Sequence, residues 1–189
     1  MLGIFLDTET TGLSADSAKI LSLAFRVIDL VTGEELGSFS THIKHPKKVW
    51  DDAHPRALEV NGMSWKKDGH KGKNQKETMK LVTAKLFALI KDRKSCFICQ
   101  NPSFDKSFFN KLIPNDIQRR YKLPYHWLDL ASMFLMHSIK SGTLSNVKSL
   151  SKDNIAKALG LVKEDDIHTA MGGVDRLILC FNKLKEVIS

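Results

Sequence analysis

Three apolar stretches open the chain: LGIFLD (residues 2–7), KILSLAFRVIDL (19–30) and GSFSTHIK (37–44). Their short apolar runs and alternation predict strands. VTGEE, with Thr32-Gly33 as the turn, joins the second and third as a hairpin. The first strand is expected antiparallel to the second, across the loop TTGLSADSA.

The period then changes to that of helices. DDAHPRALEVNGM predicts a short helix starting at its aspartates and stopped at Asn61-Gly62. NQKETMKLVTAKLFALIKDRK places Met79, Val82, Leu86, Leu89 and Ile90 on one helical stripe. CFICQN predicts a buried strand, SFDKSFFNKLI a helix ended by Pro114, and YHWLDL a strand feeding the helix LASMFLMHSIK. LSKDNIAKALG predicts a helix stopped by Gly160. A last helix is expected from about His168 to Val187, with Val174, Leu177, Ile178, Phe181 and Leu184 inward. Strands first, then helices alternating with strands, indicate an α/β domain with a mixed sheet covered by helices. With no repeat or linker, one domain over residues 1–189 is expected.

Composition narrows the setting. No stretch is long and apolar enough to span a bilayer, and no basic-then-apolar leader opens the chain. A cytoplasmic protein with no membrane partner is therefore expected. Three cysteines do not build a disulfide framework. Cys96 and Cys99 form a C-x-x-C, but residues three apart on a strand face opposite ways, so core positions are expected. A net charge of +8 favours polyanionic partners. Part of it sits in WKKDGHKGKNQK (65–76), with five lysines, where a solvated loop and a binding loop are both open.

The chemistry starts where the first strand ends. Asp7 and Glu9 lie two apart in FLDTET and so share a face. Paired carboxylates resist joint ionisation unless a cation sits between them, and hard oxygen ligands suit Mg²⁺ or Mn²⁺. Solvated acids at a frayed strand end are the alternative. Asp105 follows another buried strand at a helix start, a place also common for structural acids. His168 opens the last helix.

FLDTETTGL, CQNPSFDKSFF and HTAM, in this order, resemble the DEDDh 3′–5′ exonuclease family, which includes proofreading subunits of replicative DNA polymerases. WLDLASMF and KSLSKDNIAKALGL are similar to the family's intervening segments. The resemblance covers nearly the whole chain. It implies a ribonuclease H-like mixed sheet of about five strands flanked by helices. It also implies hydrolysis of phosphodiester bonds at the 3′ end of nucleic acid with two divalent ions, Mg²⁺ or Mn²⁺. Asp7 would bridge the ions, Glu9 would hold the water-bearing one and Asp105 the other, with His168 as general base. Thr8 and Leu13 would cover the terminal nucleotide, and Asn101 and Phe104 would support Asp105 on the substrate side. Single-stranded ends, DNA before RNA, are the expected substrate, and a DNA polymerase or repair complex is a candidate partner.

One position departs from the family. The fourth carboxylate, five residues after the histidine, corresponds to Gly173. The nearest acid, Asp175, is about 200° further round a helix, on the outer side. The site should then activate water less well. A weaker exonuclease, Asp175 recruited by unwinding at Gly172-Gly173, an introduced substitution, and an inactive module that binds 3′ ends are all open.

Overall fold

The computed structural model describes residues 1–161 and 169–188. In chain order the elements are β1 (Leu2–Thr10), β2 (Ile20–Asp29), β3 (Glu35–His42), α1 (Lys47–Asp51), α2 (Pro55–Asn61), α3 (Trp65–Asp68) and α4 (Gln75–Ile90). They continue as β4 (Ser95–Cys99), α5 (Pro102–Leu112), α6 (Asn115–Arg120), β5 (Trp127–Asp129), α7 (Leu130–Lys140), α8 (Lys152–Ala158) and α9 (Ala170–Ile188), with a 3-10 turn at Leu144–Asn146.

The five strands form one sheet in the order β3-β2-β1-β4-β5. The β1–β2 and β2–β3 pairs are antiparallel, while β4 and β5 add in parallel. This is the expected mixed sheet. The β2–β3 hairpin turns at Gly33, which takes φ 79°, and Gly33 N–H donates to Asp29 O.

Alternation along β1 divides the core in two. Ile4 and Leu6 face a cluster with Val82, Leu86 and Ile90 of α4 and Phe108 and Phe109 of α5. Phe5 faces the other way, onto Leu130 and Phe134 of α7, Ile155 of α8, and Val174, Leu177 and Cys180 of α9. Burying these rows on both faces is the main stabilising term, about 25 cal/mol per Å² of apolar surface. Cys99 packs in the first cluster and Cys96 in the second, so the C-x-x-C pair is split across the sheet. Both thiols are free and buried.

Several local expectations need correction. The helix expected to begin at Asp51 or Asp52 begins at Pro55, because His54 accepts the Arg56 N–H and Pro55 occupies the first turn. It stops as expected at Gly62, φ 61°. The lysine-rich segment is not wholly a solvated loop: α3 forms there and Asp68 is buried. After Pro114 the chain turns directly into α6, which the sequence reading passed over. The start of the last helix near His168 lies outside the described residues; α9 is helical from Ala170.

A candidate active site at the end of the central strands

β1 and β4 run parallel, so their carboxyl ends open at the same edge of the sheet. Crevices outside strand carboxyl ends are where open α/β sheets place ligands. β1 delivers Asp7 and Glu9 there, both partly exposed on the face that carries α9. Immediately after Glu9 the β1–β2 register shifts, with Glu9 opposite Ser22 and Thr10 opposite Ile20. A bulge of this kind bends a strand and re-aims its side chains.

Asp105 comes from the first turn of α5. That helix start is fixed tightly: Asn101 takes a left-handed conformation (φ 55°), Pro102 follows, and Asn101 N–H donates to Asp129 Oδ1 at 3.1 Å. Asp129 also accepts the Ala131 and Ser132 N–H groups, capping α7. Asp105 is only 3% exposed, and its Oδ1 accepts from Thr8 Oγ1 at 2.8 Å. Burial, and then the charge of Asp7, push its carboxyl well above the usual range; Thr8 and Lys152 pull less strongly the other way. Asp7 and Asp105 therefore act on one another across the end of β1.

Gly173 backs directly onto Asp7. A Cβ built there would lie 2.2 Å from Asp7 Oδ2 and 2.9 Å from Lys152 Nζ. Lys152, the first residue of α8, reaches Asp7 Oδ1 at 3.4 Å. Asp175 points elsewhere: its Oδ1 accepts from Arg26 Nε at 2.6 Å, and Arg26 also pairs with Glu35. α9 is intact at the glycines, with Gly173 N–H donating to Thr169 O at 2.8 Å. The expected outward position of Asp175 is what the structure has, and unwinding to recruit it is absent from this conformation.

Beside the acids lies a largely apolar cleft of about 360 Å³, lined among others by Thr8, Glu9, Leu13, His54, Val60 and Phe104. Leu13 stands 88% exposed at its rim. Thr8, Leu13 and Phe104 thus share one cleft, whereas Asn101 is at the helix start and hydrogen-bonds Ser103. His168 lies outside the described residues. Thr169 and Ala170, which follow it, line a second pocket of about 250 Å³ together with Glu9, Ser22 and His42.

The donor set suits a hard divalent cation in part. A buried carboxylate that feels the charge of a second one is the arrangement a cation relieves. Among the described residues, however, no three His, Cys, Asp or Glu side chains form a metal-holding group. Lys152 was missed in the sequence because a lysine near a helix start carries no local signature; only the tertiary contact with Asp7 singles it out. The Asp129 tie to Asn101 was missed for the same reason, although the WLDL segment held the clue.

Residues 4–176 match the model of a family described as Exonuclease, of the RNase T type. No curated protein matches the chain. Among solved structures, the E. coli exonuclease I–ssDNA complex in its zinc-bound form superposes with a TM-score of 0.75 at 19% identity over 98% of this chain and 40% of that one. E. coli exonuclease I with a dT13 oligonucleotide gives 0.75 at 18% identity, over 98% and 41%. Product-bound exonuclease I gives 0.73 at 19%, over 98% and 43%. The shared fold is the ribonuclease H-like one. The chain spans about two fifths of the length of these proteins.

Proposed function

The chain belongs to the RNase T exonuclease family, and from that premise we propose that it is a metal-dependent 3′–5′ exonuclease of the DEDDh type, acting on single-stranded ends and on DNA before RNA. The observation that carries the reading is that the buried Asp105 feels the charge of Asp7 at the end of β1, next in sequence to Thr8 and Phe104, which line the cleft with Glu9 and Leu13.

The cleft has the size and apolar character to take a terminal nucleoside. In this reading Leu13 and Phe104 hold its base and the backbone at Thr8 its sugar, which sets the last phosphodiester beside the carboxylates. Asp7, Glu9 and Asp105 would hold the divalent ions, Mg²⁺ or Mn²⁺. When bound, such ions lower the pKa of a water and stabilise the charge on the leaving 3′-oxygen. His168 is assigned as the base that takes the proton from that water, a task suited to an imidazole. Thr8 keeps Asp105 aimed by its hydroxyl. The net charge of +8 favours a polyanionic substrate. DNA is preferred because the FLDTETTGL segment resembles DNA-directed members, and the exonuclease I structures hold ssDNA.

A 5′-labelled single strand incubated with the protein and Mn²⁺ should shorten stepwise from its 3′ end, and matched RNA more slowly. Asp7→Ala should abolish this. Shortening that persists unchanged in Asp7→Ala refutes the assignment, as does no mononucleotide release by the wild type.

Gly173 favours a second reading, a module that binds 3′ ends and cleaves poorly. It predicts tight single-strand binding with no measurable turnover under either metal.

A further inference from the structure

The contact between Lys152 and Asp7 goes beyond a surface ion pair. Lys152 Nζ lies 3.4 Å from Asp7 Oδ1, with only 13% of the lysine side chain and 18% of the aspartate exposed. The charge of Lys152 is also felt at Asp105. The ammonium therefore sits among the same carboxylates to which the metal reading assigns its ions.

Space at residue 173 is what allows this. Any Cβ there would approach Asp7 Oδ2 to 2.2 Å, Asp7 Cγ to 2.6 Å and Lys152 Nζ to 2.9 Å. A side chain at 173 and the present positions of Asp7 and Lys152 exclude each other. The glycine and the lysine are thus one structural unit. Helix preference does not explain the lysine. The first turn of a helix carries a positive partial charge, so a cation at the first position of α8 is on the unfavourable end. Attraction to the acids opposes that term and is strengthened by partial burial.

We propose that Lys152 is a built-in cation of this site: its ammonium, admitted by the bare backbone at Gly173, takes one of the two cation positions at Asp7, so that the site takes one fewer divalent ion than it would without the lysine. The inference deepens the metal-dependent reading above. It gives a physical reason for the departure at Gly173: a fourth carboxylate would serve an ion whose place a side chain now fills. Lys152 is a positioning residue here, holding the Asp7 carboxylate in place of a ligated metal. A fixed monovalent charge cannot lower the pKa of a bound water as a divalent ion does, so it supplies orientation and charge balance.

The test counts ions and does not depend on turnover. Mn²⁺ is titrated into the full chain, and the bound fraction is read from the loss of the paramagnetic resonance signal of free Mn²⁺. Ions lost on Asp7→Ala define those belonging to the site. The same difference is measured in Lys152→Met and Lys152→Gln, with circular dichroism and melting used to select folded protein; the two substitutions back one another if one fails to fold. Removing the ammonium should add one site ion and tighten apparent Mn²⁺ affinity by about tenfold or more. An ion count and affinity unchanged in the Lys152 variants overturn the proposal. A protein that gains the ion yet never releases nucleotides upholds it while defeating the exonuclease reading, and an active enzyme with an unchanged count does the reverse.

Discussion

Asp68 and Asp105 are two carboxylates buried almost equally, at 4% and 3% exposure, in opposite circumstances. Around Asp68 the chain supplies compensation. Lys71 Nζ lies 2.9 Å from Oδ1, and the Ser64 N–H donates to Oδ2 at 3.0 Å. Burial pushes this carboxyl up, but Lys71 and Ser64 outweigh it, and the net position is below the usual range. Asp105 accepts the Thr8 hydroxyl, but burial and then the charge of Asp7 push it well up. A buried acid that its surroundings neutralise is a structural part. One that another acid pushes up, with Lys152 offsetting only part of the effect, is left to a proton or a further cation, which makes it a candidate for a site. Solvent exposure alone does not separate the two; the sign of the shift does.

Exchanging each carboxylate for its amide sharpens the contrast. Asp105→Asn should lower nucleotide release by about a hundredfold or more, in the range of losing one preorganised electrostatic group. In chelator-treated protein the melting temperature should hold or rise, since an amide is cheaper to bury than a carboxylate facing Asp7. A marked fall in stability would make Asp105 structural and erase the comparison.

Asp68→Asn should do the opposite. Turnover stays as it was, while stability at pH 7 falls by about 1.5–3 kcal/mol, the range for a hydrogen bond to a charged group. Melting should drop by about 2–4 °C per kcal/mol. The pH dependence has a definite sign. The folded pKa is depressed, so the stabilisation is present above the ordinary carboxylate pKa and is lost as pH falls through the folded value. Wild type and variant should converge in acid, as followed by melting from pH 7 downward; a gap that widens there contradicts the account.

Thr8→Val probes the side-chain hydroxyl that Asp105 accepts from. The loss of a hydroxyl donating at 2.8 Å should reduce turnover by about tenfold, one hydrogen bond's worth. Thr8→Ser should restore it, because the donor returns without the methyl group. Failure of serine to rescue would assign the effect to packing.

Much of this was legible from local pattern, and the rest depended on contacts between distant segments. The three opening strands, the α4 stripe and the split C-x-x-C follow from periodicity that side-chain geometry enforces. Asp7 stood out by its pairing with Glu9 at a strand end, whereas Asp105, at a helix start common for structural acids, stood out only through the resemblance carried by CQNPSFDKSFF. Asp68 was not: amid five lysines its neighbourhood reads as solvated, and its burial comes from the turn made by α3. The start of α2 was misjudged because aspartate is a good cap in general, whereas here Pro55 fixes the first turn and His54 caps it. Lys152 could not be read at all, since its meaning lies in a contact 145 residues away in sequence.

Asp175→Asn has the smallest expected effect and tests the comparison from a third acid. Asp175 is the carboxylate nearest in sequence to Gly173, yet 48% of its side chain is exposed and its partner is Arg26 on β2. Arg26 keeps Glu35 as a second partner if Asp175 is neutralised. A half-exposed pair of this kind contributes no more than about 1 kcal/mol, so the variant should melt within a few degrees of wild type. Nucleotide release and the Mn²⁺ dependence should be unchanged, because Asp175 could turn inward only by breaking the helix at the Gly173 N–H to Thr169 O bond, the Gly172 N–H to Thr169 Oγ1 bond, and the packing of Val174 and Leu177. A tenfold or larger loss of turnover at unchanged stability would mean that α9 does unwind on substrate, and that a solvated acid enters the site during the reaction. Such a result would move Asp175 to the functional side of the contrast and leave the burial of Asp105 as a feature of the substrate-free protein.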